Sequence, residues 1–121
     1  MAKCAIVYID GTVEMKQLNG LKDLQGAVGG LIEAVPVTQD TDAYINEEGK
    51  YMCDPNIFAT FLLQINKRLN AGDYVAGNLV LVGKPDEDGN DTDVPAWVED
   101  LVASINKDEE TIESTIKGLL K

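Results

Sequence analysis

The stretch KCAIVYIDGTVEMKQL, Lys3 to Leu18, carries the reading of the fold. In its first half Cys4, Ile6 and Tyr8 alternate with Ala5, Val7 and Ile9, so both faces are apolar. A strand of that kind, Lys3 to Asp10, belongs at the doubly covered centre of a sheet. Asp10-Gly11 is a two-residue hairpin signal. Thr12 to Leu18 then sets Val13 and Met15 against Thr12, Glu14 and Lys16, the pattern of an edge-like second strand.

Downstream, Asn19-Gly20 punctuates the chain. Leu21, Leu24 and Val28 recur at helical spacing, which predicts a short helix with Gly29 as the left-handed residue past its end. Gly30 turns the chain into a third strand, Leu31 to Val37. Its alternation puts Leu31, Glu33, Val35 and Val37 on one face and Ile32, Ala34 and Pro36 on the other. Glu33 is therefore either solvent-facing or a buried carboxylate paired with a donor such as Lys50 or a backbone amide. Pro36 favours an edge or a strand end.

Thr38 to Thr41 reads as a polar loop. Ala43 to Asn46 and Lys50 to Cys53 read as a hairpin around Glu47-Glu48-Gly49, with Gly49 left-handed. Asp54 as cap and Pro55 as first residue open a helix, with Ile57, Phe58, Phe61, Leu62, Ile65 and Leu69 on its inner face. Asn70-Ala71-Gly72 closes it. DYVAGNLVLVG, Asp73 to Gly83, is the most apolar β-like run, and Gly77 marks a bulge or a close approach. Residues 84–93 form an acidic loop. Asp93 and Pro95 start a helix with Trp97, Val98, Leu101, Val102 and Ile105 inward. Asp108 can cap a last helix carrying Ile112, Ile116, Leu119 and Leu120, and one long kinked helix is the alternative.

The sum is α+β: an antiparallel or mixed sheet of about five strands, with three or four helices covering one face and a C-terminal helical segment. The expected domain spans residues 1–107, with 108–121 as a helical extension packed on it. The 121 residues suffice for one domain with its own core. No apolar run reaches membrane-spanning length and no signal peptide is visible, so a cytoplasmic protein is expected. Cys4 and Cys53 are expected as free thiols.

The net charge is −11, and the acid is uneven. Residues 1–83 hold ten acidic and six basic side chains, whereas residues 84–121 hold eleven and four. Phosphate binding needs a basic patch, so direct nucleic-acid contact is not expected. The acid serves solubility, or it mimics nucleic acid toward a DNA-binding protein.

Catalytic machinery is missing from the sequence. With no histidine, Ser or Cys nucleophiles lack their usual base. No G-x-S-x-G, P-loop or G-x-G-x-x-G occurs. The reading is a non-enzyme without cofactor or metal. A calcium-like spacing, Asp88, Asn90, Thr92 and Glu99, has Asp93 where the loop needs glycine and Pro95 inside it. The candidate ligand-binding groups are few. Lys67-Arg68 either complements a helix dipole or, through Arg68, clamps an anion. Asn56 and Thr60 sit one turn apart at a helix start, where backbone N–H groups are free for an anion, or Asn56 is simply a helix-start residue. Asn46, Glu48 and Lys50 flank or lie in the expected turn, where Asn46 and Lys50 serve turn chemistry or a ligand, with Glu33 on the neighbouring strand.

Taken in order, VGGLIEAV, INEEGK, DPNIFAT and YVAGNLVLVG followed by an acidic loop resemble a family catalogued as domain of unknown function 3846, over roughly residues 3–105. The matching positions are Gly29, Gly30, Glu33, Asn46, Glu48, Gly49, Lys50, Asn56, Ala59, Thr60, Gly77 and Gly83. The resemblance implies a small accessory protein of a bacteriophage, plasmid or other mobile element, acting in the host cytoplasm, with no enzyme activity assigned. Two functions are expected in competition. One is sequestering a small nucleotide-like ligand to counter host defence, through Glu33, Asn46, Glu48, Lys50, Asn56, Thr60 and Arg68, in a homo-oligomer. The other is an acidic interaction module, an inhibitor, adaptor or DNA mimic, acting on a host or phage protein.

Overall fold

Alternating apolar side chains on both faces of one strand require cover on both sides, and the sheet is built that way. A computed structural model describes residues 2–70 and 72–105. Its five strands are β1 (Ala2–Val7), β2 (Val13–Leu18), β3 (Ile32–Pro36), β4 (Thr41–Asn46) and β5 (Leu79–Gly83). They lie in the order β2-β1-β5-β4-β3, and every neighbouring pair is antiparallel. The helices are α1 (Gly20–Val28), α2 (Gly49–Met52), α3 (Ile57–Ile65) and α4, residues 96–105. The α+β class with a five-stranded antiparallel sheet is as expected.

Helices cover both faces, not one. Ala5, Val7, Ala43, Leu79 and Leu81 pack with Ala59, Leu62 and Leu63 of α3 and with Val98 and Val102 of α4. Cys4, Ile6, Leu18, Val80 and Val82 pack on the opposite face with Leu24 and Val28 of α1. The alternation along β1 and β5 feeds these two cores, which is why a sheet with helices on one side only could not satisfy it.

The β1–β2 hairpin is wider than Asp10-Gly11 implies. The ladder closes at Val7 opposite Val13, and Tyr8 N–H donates to Thr12 O at 2.9 Å. The Asp10 carboxylate accepts from the Thr12 N–H and hydroxyl, so it builds a local turn inside a longer loop. Helix α1 ends as read: Gly29, at φ 83°, donates to Gln25 O.

Three expectations around residues 47–78 are corrected. Residues Gly49–Met52 form a single helical turn, not a strand, and Gly49 is not left-handed. Glycine is required there by proximity, since a Cβ at Gly49 would collide with Ala76 O. The cap of α3 is Asn56, not Asp54. Asp54 and Pro55 instead pair with the returning chain: Gly77 N–H donates to Asp54 O, and Pro55 forms a bridge to Ala76. Residues 73–78 are thereby drawn off the sheet, and β5 starts only at Leu79. Gly77 makes the turn into β5 at φ +85°, and a Cβ there would stand 3.1 Å from Cys53 Sγ, the close approach its position predicts.

Helix α3 ends at Ile65, short of the expected Asn70-Ala71-Gly72. Asn66 turns its amide back to Leu62 O, and Lys67 takes φ 58°. The inward face also differs. Ala59, Leu62 and Leu63 are buried, while Ile57, Phe61 and Ile65 are 76%, 58% and 58% exposed. The sequence IFATFLLQI is apolar nearly all round, so periodicity alone does not select a face. Helix α4 follows its reading, with Val98 and Val102 buried and Trp97, Leu101 and Ile105 partly so. The expected C-terminal helix lies outside the described residues.

Asn56 joins these parts. It is fully buried, and its amide donates to Val7 O at 3.0 Å and to Gly77 O at 2.9 Å, while its oxygen accepts from Ala59 N–H. Asn56→Ala strands two carbonyls and one N–H in the core. We expect a loss of about 3 kcal/mol or more in urea unfolding, from three lost bonds plus the desolvation of their partners. Asn56→Asp keeps the cap but turns an acceptor toward two carbonyls, and is expected to destabilise as well.

Candidate functional site

The expected site residues separate into three environments. Glu33, Asn46 and Lys50 line one pocket of about 230 Å³, together with Glu47, Tyr51 and Tyr74. Glu33 is exposed on β3, so the solvent-facing alternative holds. Asn46 is buried at the end of β4, where its amide donates to Val28 O and its oxygen accepts from Glu48 N–H at 2.8 Å. Asn46 therefore closes the β4–α2 turn. Glu48 contributes that N–H while its side chain is exposed. The Lys50 ammonium is paired with Asp73 and lies 5.0 Å from the centre of the Tyr74 ring. The hydrogen bond it donates to Asp73 holds the Lys50 ammonium above its usual pKa and the Asp73 carboxyl below its own.

Asn56, Thr60 and Arg68 lie elsewhere. Asn56 is committed to the core. The Thr60 hydroxyl donates to Asn56 O and accepts from Val75 N–H, both at 2.8 Å, so it fastens α3 to the chain before β5. Arg68 follows α3 and donates through Nε to Val37 O at 3.0 Å. The Lys50 pocket thus has one cation, already neutralised, beside Glu33 and Glu47. A phosphate entering it meets excess negative charge.

The loop with the calcium-like spacing closes on itself. Asp86 accepts from the N–H groups of Asn90 and Asp88, and the Asn90 bond first of all depresses its carboxyl pKa. Among the described residues, no three His, Cys, Asp or Glu side chains converge as metal ligands.

The larger concavity is an open apolar groove of about 770 Å³ between α3 and α4. Leu62 and Ile65 form one wall, Trp97 and Leu101 the other, and Asp40 and Asp100 stand beside them. Asp40 accepts from Thr38, Trp97 and Thr41, and these bonds lower its pKa. Ile65 links the groove to the exposed stripe of Ile57 and Phe61, since positions 57, 61 and 65 share one helix face. Sequence reading missed this surface because the same residues were assigned to the core. The signal was the absence of a polar face on α3.

The two thiols differ. Burial, with the charges of Asp91 and Asp93 next, pushes Cys4 up to about 11. Cys53 is half-buried. Alkylation at mildly alkaline pH, followed by mass spectrometry, is expected to label Cys53 and spare Cys4 until the protein is unfolded.

The carboxylates also set a pH profile. Asp10, Asp40, Asp73 and Asp86 have folded pKa values below the ordinary one. Their stabilisation is present above the unfolded value, ~3.9, and is lost as pH falls through the depressed folded values. Between neutrality and that range, protonating other acids relieves the repulsion of a −11 chain. Melting temperature should therefore rise on mild acidification and fall steeply below the ordinary Asp pKa. A flat or monotonic profile counts against this account.

The family model described as Domain of unknown function (DUF3846) matches residues 2–107. No curated protein and no solved structure matches the chain. No described helix is long and apolar enough to cross a membrane.

Proposed function

We propose that this chain, which belongs to the DUF3846 family, is a non-enzymatic interaction protein whose contact surface is the outer face of α3 and the groove beside it. One observation carries the reading: Ile57, Phe61 and Ile65 present a continuous apolar stripe to solvent on a helix already anchored by Ala59, Leu62 and Leu63. Large apolar side chains in contiguous exposed rows mark contact surfaces more than solvated ones. The occupant is a protein surface with apolar anchors and a basic rim. That rim follows from Asp40 and Asp100 at the groove and from the −11 net charge, which steers basic partners in and repels acidic ones. Inhibitor, adaptor and nucleic-acid mimic all fit that chemistry. In the same reading the protein serves a phage or mobile element inside its host's cytoplasm, where it acts against a host component.

The sequestration of a nucleotide-like ligand is the second reading. It is favoured by Tyr51 and Tyr74 beside Lys50, which offer ring faces to a base. The charge balance of that pocket weighs against it.

The test is a pull-down from host lysate at low and high salt, with the full chain and with the double variant Ile57→Asp, Phe61→Asp. Both positions are exposed, so folding is expected to survive, and circular dichroism checks that. A partner held by the native chain, weakened by salt and lost in the variant supports the proposal. A partner retained equally by the variant, or no partner at all, sinks it.

A further inference from the structure

The face of the sheet opposite α3 carries a separate polar cleft of about 440 Å³ between α1 and the edge strand β2. Lys16 rises from β2 and Lys22 from the first turns of α1, and both line the cleft. Tyr8, Gln17 and Asn78 also line it, and Ile6 contributes apolar lining. Lys16 shares its sheet face with Leu18, the face that packs against α1, because 16 and 18 are two apart on a strand.

This concentration of cation is unusual for the chain, which has only ten basic residues against 21 acidic ones. The three ion pairs found among the described residues involve Lys3, Lys50 and Lys84, and neither Lys16 nor Lys22. The cleft also contains Asp23. Its carboxylate accepts from Asn19 N–H at 2.7 Å, which ties it to the start of α1. Asn78 is held rigidly, donating to Ala27 O and accepting from Ile9 N–H, so it buttresses the wall. The Lys50 pocket is the reverse case, with one paired lysine among several acids.

We infer that this cleft binds a small phosphorylated molecule of mononucleotide size, with Lys16 and Lys22 on the phosphate and the Tyr8 wall against the organic part. The volume lies within the range of sites for small ligands. Two lysines from different elements can approach one phosphate from two sides, and each charge-assisted hydrogen bond exceeds a neutral one in strength. The edge position leaves the cleft open to solvent without moving the core. The site is distinct from every residue of the Lys50 pocket and lies on the other side of the sheet from α3. Its failure therefore leaves the interaction surface untouched, and the converse holds too.

Isothermal titration of the full chain with AMP, ribose 5-phosphate and adenosine tests the inference, together with the double variant Lys16→Gln, Lys22→Gln. Glutamine keeps the stem and polarity of each side chain, and a matched melting temperature confirms the variant's fold. Binding of AMP and of ribose 5-phosphate but not of adenosine is expected. The variant is expected to lose about tenfold or more in affinity for AMP, the scale of one charge-assisted hydrogen bond. Absence of AMP binding, equal binding of adenosine, or unchanged affinity in the variant would overturn it.

Discussion

The fully buried amide of Asn56 holds together parts that are far apart in sequence. It reaches the end of β1 through Val7 O, the turn into β5 through Gly77 O, and the first turn of α3 through Ala59 N–H. Its own backbone N–H donates to Val75 O. One side chain thus fixes where α3 begins, how the helix is rolled, and where the chain enters the central strand. A buried amide with every donor and acceptor satisfied is rigid because each partner it lost would be left dry.

The roll of α3 has a consequence for the surface. Ala59, the smallest residue of the helix core, lies against the sheet, and the larger Ile57, Phe61 and Ile65 are left outside. The opposite sheet face is closed by α1, whose Leu24 and Val28 meet Cys4, Ile6 and Val80. The two sides of the molecule therefore differ in chemistry. One exposes an apolar stripe beside aspartates, and the other a polar cleft with two lysines. A single sheet with independent covers can keep both, since changes on one cover need not disturb the other.

Much of the architecture was legible in the chain. The two-sided alternation of β1, the helical spacing of α1 with Gly29 after it, and the Pro95 start of α4 all read correctly because each is a local pattern. Residues 47–78 were not legible for a different reason. Lys50 to Cys53 has strand-like composition, yet it coils because Asp54 and Pro55 are taken by Ala76 and Gly77, far along the chain. Gly49 has the look of a turn glycine but is needed for its missing side chain against Ala76 O. Of the candidate site residues, Glu33, Asn46 and Lys50 line one pocket because β3, β4 and the turn after it are neighbours. Asn56 and Thr60 lie apart from that pocket, and their hydrogen bonds are spent inside the protein.

By itself the sequence determined the class: a small acidic α+β domain, a sheet with two apolar faces, and membership of a family described only as of unknown function. It could do so because strand alternation, helix periodicity and net charge are properties of the chain as written. Only the tertiary structure decided which face of α3 is covered, which acids neutralise Lys50, and which lysines share a cleft. Those outcomes depend on contacts between residues tens of positions apart, such as Asn56 with Val7 and Lys50 with Asp73. No local pattern encodes them, because an apolar helix or a lone lysine reads the same until its neighbours in space are known.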